Sequence, residues 1–176
     1  MSSLTAVTWV TAFLLVVAGA RKIARPRPTA VALGAVGLPS SPALVRMFGV
    51  VEMALGTAVV VAGGVVACGL VGALHLGFSA IAARQRRAGA DCGCFGTTGT
   101  PVTARHVWLD AALAAVALGA AAAPAPPLAD LVLHDPLVGV VTVASAATAA
   151  SLLRLLLTSA VDLRSVVGLV TPDGTA

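Results

Sequence analysis

Five apolar segments, each long enough to cross a lipid bilayer, dominate this sequence of 176 residues. They cover residues 4–20, 43–62, 65–83, about 106–123, and 137–157. A helix that spans the hydrocarbon core needs about 20 mostly apolar residues, with a range of roughly 17–25. Because lipid offers the backbone no hydrogen-bond partners, each segment is expected to be an α-helix. The sequence therefore predicts an all-α integral membrane bundle of five helices.

The composition excludes an ordinary soluble domain. Hydrophobic residues make up 59% of the chain and charged residues only 10%, whereas soluble domains carry about 25% charged residues. Most of the apolar residues are Ala, Val, Leu and Gly. Small side chains let helices approach closely in lipid, where no hydrophobic force draws one helix to another. The composition thus supports a bundle whose surroundings are membrane lipid.

The first segment has an alternative interpretation as a signal peptide. Residues 18–20, with the sequence Ala-Gly-Ala, resemble a small-residue cleavage site. A signal peptide begins with positive charge, but residues 1–3 carry none, and Arg21 and Lys22 come after the apolar segment. This order of charges favours a helix that is retained in the protein.

Positive charges lie in alternate loops. Lys and Arg occur in the first and third loops and after the fifth segment, and are absent from the second and fourth loops. Cytoplasmic loops of membrane proteins are enriched in Lys and Arg. We therefore predict a multi-pass cell-membrane protein with its N-terminus outside and with loops one and three and the C-terminus in the cytoplasm. The net charge of +4 follows this membrane pattern, and no basic patch is interleaved with aromatic residues, so nucleic acid is not an expected partner.

The third loop contains two cysteines separated by one residue, Cys92-Gly93-Cys94. Thiols at this spacing can close a small, strained disulfide ring, and Gly93 permits the bend that the ring needs. Strained disulfides are typically the catalytic or regulatory ones, and a loop position would expose the thiols to a partner protein. The pattern favours a thiol–disulfide redox pair formed by Cys92 and Cys94.

Other interpretations of the cysteines stay open at this point. The pair could be half of a metal site completed by His106 or by a partner protein, or two loop cysteines without a function. The third cysteine, Cys68, lies in the third apolar segment and is expected to be a small buried hydrophobic residue. The topology places it on the opposite side of the membrane from the pair, so it should not pair with Cys92 or Cys94.

Two ionisable residues lie within the second and third apolar segments, Glu52 and His75. Both are at similar depth on faces of small residues, and the two segments form an antiparallel hairpin, so the sequence predicts that they approach within hydrogen-bonding distance, directly or through one water. Ionisable residues inside a membrane are candidates for function. We expect Glu52 and His75 to form a polar site in the bundle, for a quinone or a proton; the alternative is a buried pair that fixes helix register. Asp110, near the interface, is expected to be solvated or paired with Arg105.

Three sequence patterns resemble the methylamine utilisation MauE family, which is related to DoxX-like membrane proteins. They are Gly19-x-x-Lys22 at the end of the first segment, Gly49-x-x-Glu52 in the second, and Cys-Gly-Cys-Phe-Gly at residues 92–96. The resemblance covers roughly residues 4–123. It implies a four-helix MauE/DoxX-like membrane domain at residues 1–123. Residues 124–176 would then form an outer loop, a fifth transmembrane helix and a cytoplasmic tail.

The resemblance implies thiol–disulfide chemistry that supports maturation of a partner protein, as in methylamine dehydrogenase maturation. The implied partner is a thioredoxin-like protein or a thiol-bearing substrate protein; a homo-oligomer is also open. The competing classes are a non-enzymatic membrane assembly factor and a small transporter. Disulfide formation belongs to the oxidising side of a membrane, whereas the charges place the cysteines in the cytoplasm. Either the pair takes electrons from a cytoplasmic reductant, or the topology is inverted, or the pair is not an oxidant.

Overall fold

The computed structural model describes residues 3–93, 101–122, 127, 130 and 133–170. The helices within these ranges include α1 Ser3–Ala24, α2 Pro26–Gly34, α3 Pro42–Val61, α4 Val65–Arg87, α5 Ala104–Ala122 and α6 Pro136–Val170. Five of them, all except α2, are long and apolar enough to cross a membrane. The predicted all-α membrane bundle with five spanning helices is thereby confirmed.

The bundle is built from two close helix pairs, α1 with α3 and α4 with α5. On α1, Trp9 and Thr11 are fully buried, which is the packing expected of a retained helix. The α1–α3 contact depends on glycine: a Cβ atom on Gly49 would lie 2.6 Å from the backbone oxygen of Gly19, and one on Gly56 would lie 2.6 Å from that of Ala12. Small residues let the two backbones approach this closely. By contrast, α3 and α4 contact each other much less, although a tight turn joins them.

The first loop contains a helix that the hydropathy pattern does not reveal. The nine residues of α2 would rise only about 13 Å, too short to cross a membrane. Pro26 occupies the first turn, where proline is favoured because its missing N–H would have no helical partner. Thr29, Ala30 and Ala32 are buried, so α2 packs onto the end of the bundle from which the first and third loops emerge.

The last helix, α6, is longer than its apolar segment. The sequence predicts an end near Leu157, but the helix continues to Val170, a total of 35 residues. Residues 158–167 contain neither Pro nor Gly, so nothing in the sequence stops the helix there. At about 1.5 Å per residue it exceeds the roughly 30 Å hydrocarbon core. Most of the predicted outer loop, and the tail after residue 170, lie outside the described residues.

Candidate functional site

A cavity of about 100 Å³ lies inside the half of the bundle that faces the first and third loops. It is only partly enclosed, and its walls come from α1 to α5 and from Cys92. Most of the lining is apolar, with a small polar set: Lys22, Thr29, His75, Gln85, Cys92, His106 and Asp110. A mostly apolar pocket with a few convergent polar groups is the usual form of a small-molecule site.

One side of the site is a buried ion pair between α1 and α3. The Lys22 ammonium lies 2.7 Å from one carboxylate oxygen of Glu52 and 2.8 Å from the other. Glu52 is fully buried and Lys22 is 4% exposed. Such a pair is stable in a low-dielectric interior only when both partners are present and well placed. Sequence reasoning treated Lys22 as a membrane-flanking charge and as part of the Gly19-x-x-Lys22 pattern, but did not predict that it pairs with Glu52. Its spacing of three residues from Gly19 was the available signal, because that spacing puts it on the face that contacts α3.

The opposite side of the site is formed by α4 and α5. The Nδ1 atom of His75 lies 3.1 Å from the Asp110 carboxylate, and the His75 side chain is 4% exposed. The expected partner of Asp110, Arg105, is therefore replaced by His75. One helical turn away, the Ser79 hydroxyl donates to the carbonyl of Val107, which fixes α4 against α5 at the same level.

The direct hydrogen bond predicted between Glu52 and His75 is not formed. Both side chains face inward, but Glu52 pairs with Lys22 and His75 pairs with Asp110. The small-residue faces that carry them pack elsewhere: Gly49 packs against α1, and Gly72 against Leu118 of α5. The hairpin connection brings α3 and α4 to the same depth without making them packing partners. The two pairs are nevertheless close enough to interact electrostatically.

Phe78 connects the two pairs across the cavity. The Lys22 ammonium lies 5.3 Å from the centre of the Phe78 ring, within the range of a cation–π interaction. The same ring meets His75 edge-to-face at 5.7 Å and Phe48 at 5.9 Å. The ring therefore forms a wall shared by a cation, an imidazole and a second aromatic side chain.

The hydrogen bonds assign the tautomers of the two cavity histidines. An ionised Asp110 can only accept, so Nδ1 of His75 carries the proton, and Nε2 of a neutral ring is left as an acceptor. For His106 the assignment is reversed, because the backbone N–H of Thr103 donates to its Nδ1 at 3.1 Å. The proton of a neutral His106 ring then lies on Nε2. The cavity is thus lined by one imidazole that accepts and one that donates.

Cys92 lies in the cavity wall and is only 8% exposed. Its side chain packs with Ala82, Val102 and Val107. This thiol is therefore less accessible to a partner protein than its loop position predicts, because the chain folds back onto the bundle after α4. Cys94 lies outside the described residues.

Gly93 has a left-handed backbone conformation, and its backbone also packs against α2. Its φ of +61° is in the left-handed region that favours glycine. A Cβ atom there would lie 2.8 Å from the Cβ of Ala32, and the Gly93 carbonyl accepts a hydrogen bond of 2.6 Å from the Thr29 hydroxyl. The helix α2 therefore holds the backbone of the cysteine segment against the bundle.

The base of the cysteine loop is closed by backbone pairing. Asp91 and Pro101 form an isolated antiparallel bridge, and the N–H of Val102 donates to the carbonyl of Ala90 at 3.2 Å. The described residues on the two sides of the cysteine segment are thus neighbours in space.

Cys68 is a buried residue near the start of α4, 1% exposed, as predicted. It lies at the far end of that helix from Cys92. Within the part of the chain that the structure describes, no group of three or more His, Cys, Asp or Glu side chains could hold a metal ion. Nδ1 of His106, the residue proposed as a further metal ligand, already accepts from Thr103.

A protein-family model described as "Methylamine utilisation protein MauE" matches residues 1–123. The match covers α1 to α5, including every side chain of the cavity, and leaves α6 outside. No curated protein and no solved structure matches the chain.

Proposed function

Because the chain belongs to the methylamine utilisation protein MauE family, we propose that it is a membrane-embedded thiol–disulfide redox protein that supports maturation of a partner protein. Cys92 and Cys94 are the redox pair. The observation that carries the proposal is the position of the Cys92 thiol in the wall of a cavity with two histidines and a buried lysine. A structural loop cysteine would need no such surroundings, whereas thiol chemistry uses polar groups that move protons.

The burial of Cys92 gives the two thiols different roles. A partner protein cannot reach a thiol that is 8% exposed and packed between α4 and α5. Exchange with the partner therefore begins at Cys94, and Cys92 completes it from inside the bundle. In the oxidising direction, the pair takes two electrons and two protons from a partner dithiol, so that the partner gains a disulfide and the pair becomes a dithiol. The partner is a thioredoxin-like protein or a thiol-bearing substrate.

The first test of this proposal is to trap the complex with the partner. We expect Cys92→Ser to accumulate a mixed disulfide when its Cys94 thiolate attacks the disulfide of the oxidised partner and displaces one partner thiol, because no second thiol of the pair remains to release it. Cys94→Ser should trap at least about tenfold less, since the remaining thiol is buried, and both variants should lose partner maturation. Non-reducing gels after rapid alkylation, with mass spectrometry of the trapped species, measure the outcome.

Cys68→Ala is the matched control, because it removes a buried thiol at the other end of α4. It should leave trapping and maturation unchanged. Full partner maturation in both Cys92→Ser and Cys94→Ser would contradict the redox proposal and favour a non-enzymatic assembly factor.

We also propose that the cavity and the cysteine loop face the cytoplasm, on the basis of the Lys and Arg distribution. Ala62 and Ala88 are exposed residues that follow the ends of α3 and α4, on opposite sides of the bundle. In a Cys92→Ser/Cys94→Ser background, Ala62→Cys should react with a membrane-impermeant maleimide in intact spheroplasts. Ala88→Cys should react only after permeabilisation. The reverse pattern would show an inverted topology and place the cysteines on the oxidising side.

A further inference from the structure

The cavity contains two buried polar atoms without hydrogen-bond partners in the described part of the chain: Nε2 of His75 and Oε1 of Gln85. Both residues are almost completely buried, at 3% and 2% exposure. The Gln85 amide is oriented by its Nε2 atom, which donates to the carbonyl of Ala32, so the unpaired atom is the acceptor oxygen. Buried polar atoms normally have partners, and those that lack them within the protein call for an explanation, of which a bound water or ligand is one.

The polar atoms define what that molecule must offer. His75 and Gln85 present acceptors, and the tautomer assigned to His106 leaves Nε2–H as a donor. The two acceptors are complementary to hydroxyl groups, such as those of a quinol, and the His106 donor is complementary to a carbonyl oxygen, such as that of a quinone. A quinone has two carbonyl oxygens, and its reduced form, the quinol, has two hydroxyl groups in their place.

The walls fit a flat apolar ring. Phe48 and Phe78 contribute aromatic surfaces, and Leu109 and Leu113 are among the aliphatic residues of the lining. The volume of about 100 Å³ is somewhat below the roughly 150 Å³ of a known apolar cavity that holds benzene. Because the cavity is only partly enclosed, the remainder of a larger ring system and a lipid tail can extend beyond it.

We propose that this cavity binds the head ring of a membrane quinone, which accepts the electrons of the Cys92–Cys94 dithiol. The inference rests on the proposed function, because the dithiol is the electron donor. The two thiols lose two electrons and two protons as the S–S bond forms. The quinone gains the same two electrons and two protons and leaves as quinol, so no other reactant is required.

His75 is the residue through which a proton can pass. Its Nε2 atom can accept a proton from a thiol, and the resulting imidazolium is stabilised by Asp110, which lies 3.1 Å from Nδ1. The same Nε2–H can then donate to a quinone oxygen.

The binding test separates the quinone site from thiol chemistry. The full-length Cys92→Ser/Cys94→Ser protein in detergent is mixed with decylubiquinone or menadione, each as the quinone and, under argon, as the quinol. The rise in melting temperature with the concentration of the added compound gives an apparent affinity. We expect saturable stabilisation by at least one of the two quinones. Quinone partitions into the detergent equally for all variants, so differences between variants report the site.

Variants in the same background locate the site. His75→Leu/Asp110→Asn removes the accepting imidazole together with its buried carboxylate partner, and should weaken binding of the quinol, whose hydroxyl the imidazole accepts from, about tenfold, a difference of about 1.4 kcal/mol. Ala18→Leu fills the cavity without altering either histidine and should weaken binding as much. His134→Leu changes an exposed histidine near the start of α6, outside the cavity lining, and should bind as the parent does.

The second readout uses the protein with both cysteines. Reduced protein mixed with quinone should form one quinol per disulfide, at a rate that falls in His75→Leu/Asp110→Asn. Binding without disulfide formation would retain the quinone site and refute the redox function. Two results would overturn the quinone proposal while leaving the redox function in place. One is thiol–disulfide exchange with the partner but no saturable quinone binding. The other is quinone binding that is unchanged in the Ala18→Leu variant; in either case the cavity would hold only water.

Discussion

Replacing Glu52 by glutamine is expected to lower the melting temperature of the purified protein by roughly 6–20 °C. The substitution keeps the shape of the side chain but leaves the Lys22 ammonium, 4% exposed, without its carboxylate. Removing one partner of a buried ion pair costs about 3–5 kcal/mol, and each kcal/mol shifts Tm by about 2–4 °C in a chain of this size. A neutral interhelical hydrogen bond in a membrane averages only about 0.6 kcal/mol, so the size of the effect identifies an ion pair.

The double variant Lys22→Met/Glu52→Gln provides the decisive comparison. Without the charge on Lys22, most of the stability that Glu52→Gln removes should be recovered. A double-mutant cycle measures this recovery as a coupling energy between the two residues. Arg27→Met removes an exposed cation from α2 and should change stability by no more than about 0.5 kcal/mol. If the two single substitutions at Lys22 and Glu52 add without coupling, the ion pair does not stabilise the bundle.

Replacing Gly49 by valine is expected to destabilise the protein at least as much as Glu52→Gln. The new Cβ atom would lie 2.6 Å from the backbone oxygen of Gly19 and 3.1 Å from Lys22 Cβ. Backbone atoms cannot rotate away, so α1 and α3 must separate. Overpacking alone costs about 1–3 kcal/mol, and separation also pulls Lys22 from Glu52. Thermal unfolding and the folded yield from size-exclusion chromatography measure the loss.

Other glycines of the bundle are controls for this prediction. A Cβ atom at Gly69 or Gly77, both on α4, meets no atom within 4 Å, so Gly69→Ala and Gly77→Ala should be neutral or slightly stabilising. In the Lys22→Met/Glu52→Gln background, the effect of Gly49→Val should shrink, because the ion pair is already absent. Equal destabilisation at Gly49, Gly69 and Gly77 would mean that close contact between α1 and α3 is not what Gly49 provides.

The helices were predictable to the extent that local sequence controls them. Hydropathy located all five spanning helices, because a lipid-facing helix must be apolar along its whole length. It did not locate α2, whose nine residues are held by contacts with α3 and the cysteine segment. It also ended α6 too early, because apolarity marks the membrane boundary, whereas a helix ends only where the backbone is interrupted.

The members of the site were partly predictable, and their pairing was not. Glu52 and His75 stood out as ionisable residues in apolar segments, and both are buried at the site. Their partners, Lys22 and Asp110, lie nearer the ends of their helices, where a charge is ordinary in a membrane protein. Nothing in a single sequence states which helix faces a given small-residue surface.

The sequence by itself determined that this chain is a membrane bundle with five spanning helices and a Cys-Gly-Cys segment in the third loop. These properties depend on residues near one another along the chain. Only the tertiary structure decided that Lys22 binds Glu52, that His75 binds Asp110, and that Cys92 is buried in the wall of a cavity. The physical reason is that glycine contacts join α3 to α1 and α4 to α5, and this choice of neighbours depends on the fit of whole helix surfaces.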